Sequence, residues 1–207
     1  MEINIQNLLG LSALILSIVN GLFLIRNHLR DKPKLVVEPV HPDVYQWWFK
    51  LPEGEHEGQT TRKYGFLCYI SIKNKGLRKV SLTSWRLFIK TKGIGSRIEL
   101  KPLSIPEPSG NIGESENVKV YSVLGQQGVV YGGDTLVKSG TSISGTAYYV
   151  AEFYGDDVWD VRIKNNKIKG KIVVTDVFGK KATNNIEFQY KEFEFITDII
   201  EDIEKIR

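Results

Sequence analysis

The sequence predicts an all-β protein: an antiparallel β-sandwich preceded by one transmembrane helix and followed by a short amphipathic helix. Three observations carry this. Leu8 to Ile25 is an almost unbroken run of Leu, Ile, Val, Phe and small residues, with no charged residue between Glu2 and Arg26. Beyond Lys34, short segments alternate apolar and polar side chains between Gly, Pro and Asn turn signals, the pattern of half-buried strands. Past Glu192, isoleucines recur at helical spacing. The expected units are an anchor helix with its basic flank over 1–30, a sandwich over 31–191 and a C-terminal helix over 192–207.

At about 1.5 Å per residue the apolar run covers roughly 27 Å, close to the hydrocarbon core of about 30 Å. A cleaved signal peptide has a basic leader and a small-residue cleavage site. Here Met1 to Asn4 carry no basic side chain, and the run ends Leu22-Phe23-Leu24-Ile25 before Arg26, so the helix is read as a retained anchor. Arg26, Arg30, Lys32 and Lys34 follow it, and positive flanks stay cytoplasmic. The N-terminus is therefore expected outside a bacterial inner membrane, with the folded domain in the cytoplasm. Cys68 is the single cysteine, which excludes an intrachain disulfide and agrees with a reducing compartment. Gly10, Ala13, Ser17, Asn20 and Gly21 are spaced by three or four residues and share one helix face. Small residues let helices approach closely in lipid, and Ser or Asn can hydrogen-bond across the contact. A homo-oligomer or a partner span is the functional reading, and a passive tether the plain one.

The folded part reads as follows. Lys34 to Val40 is a first strand, and 41–62 a long acidic loop holding Tyr45, Trp47, Trp48 and Phe49. Tyr64 to Asn74 alternates, with Phe66, Cys68, Ile70 and Ile72 on one face. Lys75-Gly76 turns the chain into a strand over Arg78 to Lys90, and a turn at 93–96 leads into Arg97 to Leu103. Further strands are expected at Val118–Val123, Ser142–Phe153, Lys169–Val177 and Asn185–Tyr190, with Phe178-Gly179-Lys180-Lys181 as a hairpin turn. Phe195, Ile196, Ile199, Ile200, Ile203 and Ile206 form the apolar stripe of the last helix, which packs on its own sandwich or on another subunit.

The stretch from Ile70 to Ile89, followed downstream by Val173 to Lys180, resembles immunoglobulin-like sandwiches of bacterial membrane-anchored proteins. That resemblance implies core positions for Cys68, as a strand-B cysteine, and for Trp85, as a strand-C tryptophan. It implies fold and leaves function open.

Catalytic patterns are poor. His28 lies at the membrane edge, and His41 opens a loop beside Pro42 and Asp43. Glu53, Glu55, His56 and Glu57 are adjacent in a glycine-containing loop and lack the second spaced cluster of a metal site. Gly93 and Gly95 lack the third glycine of a nucleotide fingerprint. No enzyme activity, metal or cofactor is expected. The net charge of +4 conceals two basic blocks. One runs from Lys73 to Lys101, the other from Arg162 to Lys181, while 187–204 is acidic. Two such blocks on separate hairpins can form one positive face for phosphates, whether of an oligonucleotide or of anionic lipid. Lys73, Lys75, Arg78, Lys79 and Lys90 are the candidate ligand-binding cations, and Trp48 the candidate stacking residue. Solvated strand edges and an aromatic plug are the plain readings of the same residues.

One span plus a compact cytosolic sensor resembles the transmembrane effectors of bacterial anti-phage systems, Hailong-type effectors among them. The resemblance implies a channel controlled by a nucleotide or oligonucleotide, the product of a partner nucleotidyltransferase. The other open reading is a membrane-tethered adaptor that recruits a protein partner.

Overall fold

The computed structural model describes residues 5–41, 45–93, 96–103, 135–155, 160–198, 200 and 203. The expected strand at Val118–Val123 lies outside them, as do Ile199 and Ile206. The N-terminal helix α1 spans Ile5–Arg30. Its segment Leu9–Leu29 is long and apolar enough to cross a membrane, and none of it is buried against the rest of the chain.

The remainder is mostly strand: β1 (Leu35–Pro39), β2 (Gln46–His56), β3 (Gln59–Asn74), β4 (Val80–Lys90), β5 (Arg97–Leu100), β6 (Leu136–Val137), β7 (Ser142–Tyr154), β8 (Ile163–Lys164), β9 (Lys167–Asp176) and β10 (Lys181–Tyr190). The hydrogen-bonded order is β1-β3-β2-β10-β9-β4-β5, with β7 on the free side of β3. Past β5, the Leu103 N–H donates to the Tyr148 carbonyl on β7 at 2.8 Å, so the sheet curls back on itself around its main core. The sheet is mixed, because β2 and β10 run parallel. The sequence pattern predicts a purely antiparallel sandwich; it reports which side chains are buried and leaves strand direction open.

The expected long loop over 41–62 is instead a β-hairpin. Glu57 and Gly58, at φ of 52° and 74°, form the two-residue turn between β2 and β3, a connection whose twist matches that of the strands. The aromatic cluster is thereby drawn into the sheet. On β2, Trp48 points into the main core with Phe66, Cys68, Ile70 and Ile72 of β3. Trp47, Phe49 and Leu51 point to the opposite face, as a period of two requires. There they meet Leu67, Tyr148, Ile196, Ile200 and Ile203 in a second cluster. The C-terminal helix α2 spans Phe193–Thr197; of the expected unit over 192–207, residues 199, 201–202 and 204–207 lie outside the described residues. Its Ile196, and Ile200 and Ile203 beyond it, are almost completely buried, so these three side chains cover this face of the sheet. Gly65 of β3 lies under the Phe49 ring, where a Cβ would overlap the ring carbons. Phe49 stacks in turn on Tyr148, with ring planes within 2° of parallel.

One end of the sheet carries α1. Asn74, 1% exposed, fastens it there. Its side-chain oxygen accepts from the N–H groups of Lys34 and Gly76, and its amide nitrogen donates to the carbonyls of Arg78 and Val137. All four of the bonds available to it are made. A Cβ at Gly76 would overlap the Lys32 carbonyl oxygen, so the link after α1 and the turn between β3 and β4 meet backbone to backbone.

Candidate functional site

Strands β4 and β9 pair antiparallel from Leu82↔Asp176 to Ile89↔Gly170. At about 3.3 Å per residue their far ends stand roughly 30 Å from the end that carries α1. There β8 and β9 form a hairpin with Lys164 paired to Lys167. Its turn residues Asn165 and Asn166 have φ of 52° and 57°, the left-handed conformation that asparagine tolerates well. The hairpin, the end of β4 and the end of β10 enclose an open cleft of about 500 Å³ lined by Lys90, Arg162, Lys164, Asn165, Lys167, Lys169 and Glu187. A second hollow of about 420 Å³ continues it through Lys90, Lys169 and Glu187 to Arg97 and Lys171.

Local chemistry explains the placement. Ile168, Gly170 and Ile172 of β9 face the core, which turns Lys167, Lys169 and Lys171 outward along one face. Gly170 makes room for Leu87, Ile89 and Phe188, whose side chains stand 2.9–3.2 Å from where its Cβ would be. The chain enters β8 from Asp160, 5% exposed. The Asp160 carboxylate accepts the Val161 N–H and lies 3.3 Å from the Lys92 Nζ and 3.7 Å from the Arg62 Nε. This cluster seats Val161 opposite Thr91, and the Arg162 N–H then donates to the Lys90 carbonyl. Beneath the turn, the Trp48 indole N–H donates to the Asn166 carbonyl at 2.9 Å, and the Tyr190 N–H donates to the same oxygen.

Within the cleft, Lys167 donates to Glu187 at 2.7 Å, and Lys169 stands 4.0 Å from the same carboxylate. The Lys167 hydrogen bond holds the Glu187 carboxyl below the ordinary carboxylate range. Lys90, Arg162 and Lys164 are exposed and have no carboxylate partner among the described residues. The surplus of positive charge over a concave surface attracts anions, and phosphate oxygens match the donors of lysine and arginine.

The candidate residues read from the sequence are divided by this geometry. Lys90 lines the cleft. Lys75, Arg78 and Lys79 sit at the opposite end, exposed on the turn between β3 and β4. Lys73 is on β3 in an ion pair with Glu38, whose carboxyl is held below its ordinary range chiefly by that hydrogen bond. Arg78 lies 3.4 Å from Asp31. The five cations therefore share no common face, because β3 and β4 are consecutive without being paired. Trp48 is 3% exposed and supports the cleft from inside; its ring has no free face for a base. Arg162, Lys164, Lys167 and Lys169 belong to the second basic block, and Asn165 and Glu187 carry no composition signal. The Asn165-Asn166 pair between Ile163-Lys164 and Lys167-Ile168 is the hairpin signature that would have located them. On α1, Gly10 and Gly21 have open space around them, and Ala13, Ser17 and Asn20 are exposed.

No protein family and no curated protein sequence matches the chain. Solved structures to which the chain is similar include three. The structural-genomics target SoR45 is 10% identical with a TM-score of 0.33, over 78% of this chain and 89% of that one. The putative ApaA protein of Bordetella pertussis is 16% identical with a TM-score of 0.28, over 76% and 93%. The N-terminal domain of PorA is 11% identical with a TM-score of 0.22, over 76% and 98%.

Proposed function

We propose that this protein is a non-enzymatic, membrane-anchored sensor and effector, whose β domain binds an anionic phosphate ligand in the far-end cleft and whose helix assembles with other copies to permeabilise the membrane. The observation that carries the reading is the cleft itself, where Lys90, Arg162 and Lys164 converge without an acid partner among the described residues. The ligand is a nucleotide or oligonucleotide, the product of a partner nucleotidyltransferase, in keeping with the anti-phage effectors that the architecture resembles. The domain is cytoplasmic and the N-terminus outside the inner membrane, as the basic flank of α1 directs. Gly10, Ala13, Ser17, Asn20 and Gly21 supply the helix–helix face, since α1 is apolar, unburied and, among the described residues, without a second span to pack against. The immunoglobulin-like comparison belongs to the same proposal: Cys68 and Trp85 adjoin one core from strands that do not pair.

The test uses the full chain in nanodiscs with a labelled oligoadenylate as probe. Log affinity should fall linearly against log salt, by about 0.7 per phosphate neutralised on a single strand. Arg162→Glu with Lys164→Glu should weaken binding by at least about tenfold at low salt, and Lys75→Glu with Lys79→Glu should leave it unchanged. Addition of the probe should release dye from vesicles holding the parent protein. Binding indifferent to the cleft reversal, or binding without dye release, removes the ligand site or the effector role respectively.

A further inference from the structure

The end of the sheet that carries α1 combines two features. Leu77, Val177 and Phe178 are 53%, 51% and 68% exposed, and outside α1 Phe178 is the most exposed large apolar side chain among the described residues. Around them Lys32, Lys34, Lys75, Lys79, Lys138 and Lys180 are all exposed. The topology places them together. The Val177 N–H donates to the Ser81 carbonyl, which puts the β9–β10 turn at the start of β4, beside the β3–β4 turn that bears Leu77. Val80 pairs with Val137, which brings Lys138 to the same end. The acids there are engaged: Asp31 with Arg78, Glu38 with Lys73, and Asp176 buried under its turn.

The apolar display is rigid. The Asp176 carboxylate accepts the N–H groups of Phe178 and Lys180, both at 2.9 Å, and the Gly179 N–H donates to the Asp176 carbonyl. Gly179, at a φ of 78°, closes the turn. A turn built this firmly holds Phe178 outward, away from any collapse onto the core. Contiguous exposed apolar side chains rimmed by one sign of charge mark an interaction surface.

We infer that this end of the domain docks on the lipid bilayer itself, with Leu77, Val177 and Phe178 entering the interface and the surrounding lysines contacting anionic headgroups. The inference rests on α1 spanning the membrane, as proposed above. The tether decides the occupant. Leu29 ends the apolar segment, and Lys34 is already bonded to Asn74. The few residues between them reach at most about 3.5 Å each, roughly 18 Å in all, which keeps this end of the sheet close to the headgroup layer. Lysines so close to the surface are drawn to anionic lipid, and apolar side chains among them find the acyl boundary. The roughly 30 Å to the cleft leaves the cleft in water.

The experiment labels Phe178→Cys, in the full chain, with an environment-sensitive fluorophore. The native thiol of Cys68 is buried, and burial raises its pKa far above the ordinary thiol value, so labelling is selective. Asn165→Cys at the cleft is the control. In vesicles containing phosphatidylglycerol, the label at 178 should shift to the blue and be quenched several-fold by lipids carrying a shallow nitroxide, while that at 165 should do neither. Lys75→Glu with Lys180→Glu should lessen the quenching. Equal signals at 178 and 165, in protein that resists carbonate extraction, overturn the docking and leave the span standing. Extraction by carbonate overturns the span and the docking with it. A blue shift without lipid quenching means that a second copy covers the patch, and equal quenching in purely zwitterionic vesicles overturns the anionic contact.

Discussion

Strand β4 begins at Val80 beside turns that carry Lys75, Arg78 and Lys79, and it ends at Lys90 among Arg162, Lys164 and Lys167. Both surroundings are basic. At the first, the cations stand among exposed Leu77, Val177 and Phe178, over a backbone fastened by Asn74. At the second, they line a hollow with Glu187 in its wall and no large exposed apolar side chain among its lining residues. Net charge alone does not distinguish these places. The hollow at one end and the apolar content between the cations at the other do: an exposed apolar-basic rim suits an extended charged surface, and a concave basic wall suits a discrete anion.

The comparison breaks most readily at Asn74. Replacing Asn74 by Ala leaves the N–H groups of Lys34 and Gly76 and the carbonyls of Arg78 and Val137 without that partner. It should cost about 3 kcal/mol, seen as a lower thermal midpoint by circular dichroism of the protein in detergent. A midpoint within a degree of the parent would mean that the helix-bearing end is not fastened by this residue. A smaller effect is expected from glycines. Gly76→Ala pushes a Cβ into the backbone of Lys32 and Lys34 and should cost about 2 kcal/mol. Gly170→Ala, near the cleft, meets only the tips of Ile89, Leu87 and Phe188, which can rotate away, and should cost less than about 1 kcal/mol. Equal losses would mean that the backbone contact at Gly76 is no tighter than the side-chain contact at Gly170.

The smallest effect sharpens the other end. Glu187→Gln removes the acid of the cleft and should strengthen oligoadenylate binding roughly twofold by fluorescence anisotropy, the scale of one exposed charge. The pH dependence has a definite sign. Glu187 titrates below its ordinary value of 4.5 in the folded protein because Lys167 donates to it. The stability that this pair contributes is therefore present above about pH 4.5 and lost as pH falls through the lower folded value. Between pH 6 and 8 the advantage of the Gln variant should be constant, and it should shrink only as the parent's Glu187 protonates. A variant advantage that changes across pH 6–8 would point to a different titrating group.

Much of the sheet was legible in local pattern. Phe66, Cys68, Ile70 and Ile72 alternate, and they share the main core. The edges of β4, β7 and β9 fall near where the alternation starts and stops. The segment 41–62 misled because Pro52, Gly54 and its acids suggest a loop, while Glu57-Gly58 is a hairpin turn that lets β2 run through them. Trp48 misled for a related reason. An aromatic among aromatics can lie outside or inside, and only its pairing with β3 and β10 turns it to the core. The cleft was half legible: both basic blocks stood out, and their division between two ends did not.

By itself the sequence determined the apolar helix, the predominance of strands and the inward faces of those strands. These depend on neighbours within a few residues, whose periodicity the chain states directly. Tertiary structure alone decided that β2 and β10 run parallel, that Lys90 leaves the company of Lys75 and Arg78 to join Arg162 and Lys164, and that the isoleucines of the C-terminus cover Trp47 and Phe49. Each of those joins residues that are far apart in the chain, and a pairing between distant strands is selected by the packing of the whole sheet, which no local window contains.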